Sequence, residues 1–248
     1  MPSKRFLLVI FAISLILFSC SSRDKPILQI GMNVEFPPFG YKVDGAFAGI
    51  DVDIAHKIAE KMDHPYEIIN LEFENIIPAI TRGDVDFAIS AMSITEERSR
   101  ILEFSQAYFQ VDQVVIVPVD SELQIENITD IGRYRVGVLS GSTAQILIQE
   151  ELLMKDLIPR EELVTFASNT DAMNYLMDGK IDMIVNDDVV VHGFGQKYPI
   201  KIAYSIETGE EYGIAMPKDG EYNSKIKAAL QDLIISGELK SIMQTHGF

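Results

Sequence analysis

"FENIIPAITRGDVDFAISAMSITEER", residues 73–98, changes pattern three times. "ENIIPAI" (74–80) is short and helical, and "VDFAIS" (85–90) reads as a strand. Ser93-Ile94-Thr95 leaves that strand, and Thr95 suits the cap of a second helix running through Glu96 and Glu97. In that frame Arg98 is the third helical residue, where the free N–H groups already carry positive partial charge and a cation is disfavoured by about 0.3–1 kcal/mol. A capping box would place Glu or Gln there instead. An arginine gathered with unpaired amide donors points to a negative partner arriving from elsewhere. The bland alternative is a surface arginine paired with a neighbouring glutamate.

The same alternation extends in both directions. "ILQIGM" (27–32) is a short apolar strand, and "GIDVDIAHKIAEKM" (49–62) repeats apolar residues at helical spacing. "YEIINL" (66–71) is strand-like, and "QVVIVPV" (113–119) is β-branched. A second series begins with "YRVGVL" (134–139), a helix from about Ser142 to Met154, "LVTFAS" (163–168), the helix 170–179 and "KIDMIV" (180–185). "EYGIAMP" (211–217) is a late strand, and helices over 221–235 and 237–246 follow. This alternation predicts parallel sheets with crossover helices, an α/β fold. Two series imply two lobes, with a site in the cleft between them, beyond the carboxyl ends of the strands.

Before the first strand, Lys4 and Arg5 precede "FLLVIFAISLILFS" (6–19), too short to span a bilayer and matching a secretory signal. Cys20, the single cysteine, follows directly. "LFSC" (17–20) resembles the bacterial lipoprotein signal, which implies a lipidated Cys20, a tether over 20–26 and a protein exported to the cell envelope, anchored to the membrane. Loss of residues 1–19 takes the formal charge from −16 to −18. So acidic a chain argues against nucleic acid and against anionic membrane surfaces.

Familiar catalytic motifs do not assemble. "GVLSG" (137–141) has its serine one place late for a nucleophile elbow, and "GFGQKY" (193–198) lacks the third glycine of a dinucleotide fingerprint. His56, His64, His192 and His246 lack zinc spacing, and no metal or cofactor is expected. What remains is polar groups at strand ends. They are Ser90, Ser93, Thr95 and Arg98; Ser142 and Thr143 in "SGSTAQ" (140–145); Asp187 in "NDD" (186–188); and "NVEFPPFG" (33–40) with Phe73. Ser142 and Asp187 alone read equally as helix caps, and the aromatics as core. Together they offer donors for a carboxylate, an acceptor for an ammonium group and aromatic walls between: a zwitterion site.

On "FPPFGY…GAFAGIDVDIAHKIAEKM", "FENIIPAITRGDVDFAISAMSITEER", "VGVLSGST", "LMDGKIDMIVND" and "EEYGIAMPKD", the chain from about Leu28 onward resembles the extracellular amino-acid-binding receptors of ABC importers, solute-binding protein family 3. Its relatives there are lysine/arginine/ornithine-, histidine- and glutamine-binding proteins. The resemblance implies a periplasmic-binding-protein-like type II fold, two α/β lobes joined by two hinge crossings near 113–118 and 207–213. Residues 27–112 with 209–248 would form one lobe and 113–208 the other. It implies that Arg98 clamps the carboxylate of a free L-amino acid, helped by Ser93 and Thr143, and that Ser90 and Asp187 hold its amino group. Phe36 and Phe73 would sandwich the side chain, and Asn33 would face its far end. Ala91 stands where relatives often carry serine or glycine. Members that take cationic ligands often carry an acid at the place of Asn33, so the side chain stays open between polar and basic. A monomeric, non-enzymatic protein delivering its ligand to an importer permease is expected. An exported dehydratase-like enzyme on the same fold and a ligand sensor for a membrane receptor are the alternatives.

Overall fold

The computed structural model describes residues 25–248. The signal segment and Cys20 lie outside them. The first series is Leu28–Met32 (β1), Tyr41–Val43 (β2), Ala46–Ala48 (β3), Ile50–Met62 (α1), Tyr66–Asn70 (β4), Phe73–Arg82 (α2), Phe87–Ala88 (β5), Glu96–Ile101 (α3) and Leu102–Phe104 (β6). Phe109–Pro118 (β7) opens the second, which runs through Val136–Leu139 (β8), Thr143–Ile148 (α4), Leu163–Phe166 (β9), Asn169–Met177 (α5), Met183–Asp187 (β10) and Val189–Phe194 (α6). Ile200–Tyr212 (β11) runs back, and Ala215–Pro217 (β12), Asn223–Ser236 (α7) and Glu238–Thr245 (α8) follow.

Two five-stranded sheets result, in the orders β4-β1-β5-β12-β6 and β11-β7-β10-β8-β9, and β2 pairs with β3 as a separate two-stranded hairpin. The central strands β1, β8 and β10 are buried on both faces, which is why they read as continuous apolar runs, while the edge strands β4, β9 and β11 are partly exposed. In the first, Phe87 and Ile89 pack on the side of Ile54, Ile58 and Leu230, while Ala88 turns to Ile76 and Ile80 of α2. In the second, Ile116 and Ile184 face Ala172 and Leu176 of α5, while Val115, Val117 and Val185 face Ile148 of α4. The period of two along a strand sets this division.

The expected parallel sheets prove to be mixed. β1 pairs in parallel with β4 and β5, and β8 with β9 and β10, but β12 and β7 join antiparallel. The crossing strands cause this, because each enters its sheet without a crossover helix. The helix expected over 142–154 is α-helical only to Ile148 and continues as a π-helical turn, Gln149–Leu153.

The lobes touch closely on both sides of the cleft. Ser140 donates a hydrogen bond to Glu74 across it. On the other side, a Cβ at Gly193 of α6 would lie 2.0 Å from the Pro37 carbonyl oxygen of the first lobe. Backbone meets backbone there, and neither can swing away. Gly193→Ala is expected to hold the lobes apart while leaving each fold intact. Small-angle scattering should give a larger radius of gyration than wild type with a nearly unchanged melting temperature. Equal compactness would show that closure does not need this contact.

Candidate functional site

The parallel strands β1 and β5 end side by side and place Asn33 next to Ser90. The Ser90 hydroxyl oxygen accepts the Asn33 backbone N–H at 2.9 Å. The Asn33 amide donates to the Leu71 carbonyl at 2.9 Å and accepts the Glu35 N–H at 3.2 Å, so both its arms are held within its own lobe. Ala91 takes φ +45°, a left-handed conformation uncommon for a residue with a Cβ. Its N–H donates to Asp51 at 2.7 Å, and the other Asp51 oxygen accepts the Tyr108 hydroxyl at 2.8 Å. Burial pushes the Asp51 carboxyl up to about 7 against the pull of those two hydrogen bonds.

Arg98 is the third residue of α3, as the sequence places it, and its N–H donates to the capping Thr95 hydroxyl at 3.1 Å. Its side chain turns inward and is only 5% exposed. One guanidinium nitrogen donates to the Ser93 carbonyl at 2.8 Å, and another reaches the Gly141 carbonyl of the opposite lobe at 3.0 Å. The group lies 5.6 Å from the Phe73 ring centre. Burial lowers its pKa, while the carboxylates of Glu210 and Asp187 work against that shift.

From the second lobe, the loop after β8 brings Thr143, and β10 ends on Asp187. Asp187 is not a helix cap: that position before α6 belongs to Asp188, which makes no capping bond with its side chain. Ser142 is the cap of α4, its hydroxyl accepting the Gln145 N–H at 3.1 Å. Asp187 accepts hydrogen bonds from Tyr212 and Gln113. Burial first, then the neighbouring Glu210 charge, push it up to about 7.

Asn33, Phe36, Phe73, Ser90, Ala91, Ser93, Arg98, Ser142, Thr143 and Asp187, all singled out in the sequence, line one cavity between the lobes, joined by Leu139 and Asn186, while Thr95 caps α3 and does not line it. A second opening shares Asn33 and is bordered by Glu35, Glu72 and Asp171. Sequence reasoning missed Gln113, Tyr212 and Glu210, which stand on the crossing strands. Glu210 accepts the Ser93 hydroxyl at 2.5 Å, the Thr143 hydroxyl at 2.7 Å and the Gln113 amide at 3.1 Å. Of the missed residues, Tyr212 alone carried a signal, as the tyrosine inside "EEYGIAMPKD" (210–219).

Two α/β lobes joined by a pair of crossing strands, with a polar cavity between them, define the two-lobe binding-protein architecture. The chain belongs to the bacterial extracellular solute-binding proteins, family 3, whose family model matches residues 28–247. The L-arginine-binding protein of Pseudomonas aeruginosa is 31% identical over 98% of this chain and 96% of its own. An ancestral arginine-binding protein solved with arginine bound superposes with a TM-score of 0.82 at 31% identity, covering 91% of this chain and 100% of that one. An ancestral arginine-binding protein solved with glutamine bound gives a TM-score of 0.81 at 30% identity, covering 89% of this chain and 97% of that one.

Asp51 gives a pH test of the loop that carries Ser90 to Ser93. Its carboxyl titrates near 7 when folded against an ordinary 3.8, so the folded state holds the proton between those values. Its stabilising share is complete below about 4 and is lost as pH rises through about 7. Asp51→Asn, which keeps both hydrogen-bonding arms, should gain melting temperature relative to wild type as pH rises from 5 to 8. A difference independent of pH would show that Asp51 does not titrate in this window.

Proposed function

We propose that this chain captures a free polar amino acid as a zwitterion in the cleft and delivers it to the permease of an ABC importer. The observation that carries this reading is Arg98 and Asp187 facing one cavity from different lobes. Arg98, with Ser93 and Thr143 through their backbone N–H groups, takes the carboxylate, since both hydroxyls already donate to Glu210; Asp187 and Ser90 take the ammonium group. Phe36 and Phe73 flank the side chain, and Ala91 and Asn33 complete its surroundings. Residues 27–112 with 209–248 act as one lobe and 113–208 as the other, moving about the β7 and β11 crossings. The protein works as a monomer outside the cytoplasm, held by a lipid on Cys20.

The arginine- and glutamine-bound relatives support a polar amino acid, and the acidic opening beyond Asn33 ranks arginine first. Glu35, Glu72 and Asp171 offer a cationic side-chain end the counter-charge that a neutral one does not use.

The ligand's ammonium needs an ionised Asp187. Because that carboxyl titrates near 7 in the empty protein, affinity should rise with pH from 5 and level off above about 7.5. Calorimetric titration with L-arginine is expected to show this slope. Asp187→Ala should remove the slope and weaken binding ~100-fold, or about 2.8 kcal/mol. Arg98→Ala should lose as much at every pH, since it leaves the ligand carboxylate unpaired in a closing cleft. An Arg98→Ala protein that binds arginine like wild type would take the ligand out of this cavity. A carboxyl near 7 also suits acid–base catalysis. Mass spectrometry of a prephenate-like acid incubated with the protein should therefore recover the acid unchanged, and turnover would favour the enzyme reading.

A further inference from the structure

Glu210 sits where the fold takes special measures to aim it. β11 pairs with β7 from Ile200 to Ile206 opposite Gln113, with one register shift between Ile202 and Tyr204, then shifts by more, and pairing resumes with Glu210 opposite Val111. Glu207, Thr208 and Gly209 are looped out between them, with Gly209 at φ +60° and its N–H tied to the Asp112 carboxylate at 2.8 Å. A bulge of this kind redirects the residue that follows it. Here the redirected carboxylate collects one hydroxyl from each lobe, Ser93 from the first and Thr143 from the second, on a single oxygen. Its other oxygen accepts from Gln113, whose amide also reaches Asp187 and, at 3.3 Å, Thr143. Arg98 crosses the same gap to Gly141, two residues before Thr143.

We propose that Glu210 is a positioning residue for the binding cycle: from the crossing strand it ties Ser93 and Thr143 into one hydrogen-bonded knot that forms only when the lobes are closed. In the open state the hydroxyls separate and the knot dissolves; on closure they converge on a carboxylate already held by Gln113. Glu210 thus stabilises the closed state whether or not a ligand is present. It also sets Ser93 and Thr143 in register with Arg98. A ligand that binds the closed form gains from whatever already favours that form. The effect on affinity rests on the amino-acid reading above; the effect on closure of the empty protein does not.

The test uses Glu210→Ala and Glu210→Gln in the full chain. Small-angle scattering of the empty proteins should show Glu210→Ala more open than wild type, with Glu210→Gln close to wild type, because both hydroxyls can reverse and accept the two hydrogens of the new amide while its oxygen keeps the Gln113 amide. With radiolabelled L-arginine as probe, Glu210→Ala should release it roughly tenfold faster and Glu210→Gln within about threefold of wild type. Thr143→Val removes one of the two hydroxyls without changing the carboxylate. It should open the cleft in the same direction, and its effect should not add to that of Glu210→Ala. If Glu210→Ala fails to fold, Thr143→Val decides: an unchanged empty cleft overturns the proposal. Wild-type opening and release in Glu210→Ala also overturn it. Tighter arginine binding in that variant overturns it as well, since the carboxylate would then be competing with the ligand for the two hydroxyls. Should wild type bind no amino acid at all, the functional reading fails while the scattering comparison still tests Glu210.

Discussion

Two carboxylates, Asp187 and Glu210, are drawn into a closing cleft where Arg98 is the one basic side chain lining the cavity among the described residues. Taking charge out of water costs several kcal/mol per ion, so such a cluster persists only if each group is hydrogen-bonded or neutralised. The protein uses both routes. Tyr212 and Gln113 donate to Asp187, and two hydroxyls and the same amide donate to Glu210. What those donors leave uncompensated shows as an Asp187 carboxyl that titrates near 7. A zwitterion brings no net charge into this setting, but it places an ammonium group where the field is negative and a carboxylate where the guanidinium is. The site is therefore complementary to separated charges, which a neutral alcohol or sugar of equal size would not balance.

The same residues tie the site to the crossing strands. Gln113 stands on β7 and Tyr212 on β11, and those two strands pair along most of their length. Their ends are packed by Phe39, whose ring meets Phe109 at 5.1 Å and Tyr212 at 5.3 Å, edge to face in both cases. Phe39 and Tyr212 are fully buried. A rotation of one lobe against the other about these strands must move the donors of Asp187 and Glu210 together. Electrostatics in the cleft and geometry at the crossing are thus one mechanical unit, which gives a small ligand leverage over two whole lobes.

Much of this was legible in the sequence, because Arg98 breaks a local rule and broken rules gather where function is. The strand and helix series were legible too, since burial on both faces makes each central strand a plain apolar run. Other features carried signals that went unread. Asp44-Gly45 takes φ +50° and +84°, a primed turn joining β2 to β3, and an Asp-Gly pair between short extended runs announces it. Ile200, Ile202, Tyr204 and Ile206 alternate as a strand should, yet the acids that follow hide the continuation to Tyr212. Glu210 had no local signal of its own. Its meaning depends on a register shift and on two hydroxyls from distant segments, neither of which a periodicity reveals.

The far end of the cavity follows a different physics from the near end. Asn33 has both arms bonded within its own lobe, so it can lend a side chain little more than one remaining hydrogen and a lone pair. Beyond it, Glu35, Glu72 and Asp171 are exposed, and they act through water rather than by contact. A unit charge about 6 Å from such a group gains roughly 0.7 kcal/mol in bulk water and about 3 kcal/mol at a protein surface. Screening by salt lowers both. In the proposed reading several such groups together would rank a cation above a neutral polar side chain by roughly one to two powers of ten, without excluding the neutral one. In the proposed reading the ends of the zwitterion meet buried, fixed groups, Arg98 and Asp187. Affinity for amino acids as a class therefore resides in the cleft, and preference among them is a softer, salt-sensitive property of its acidic rim.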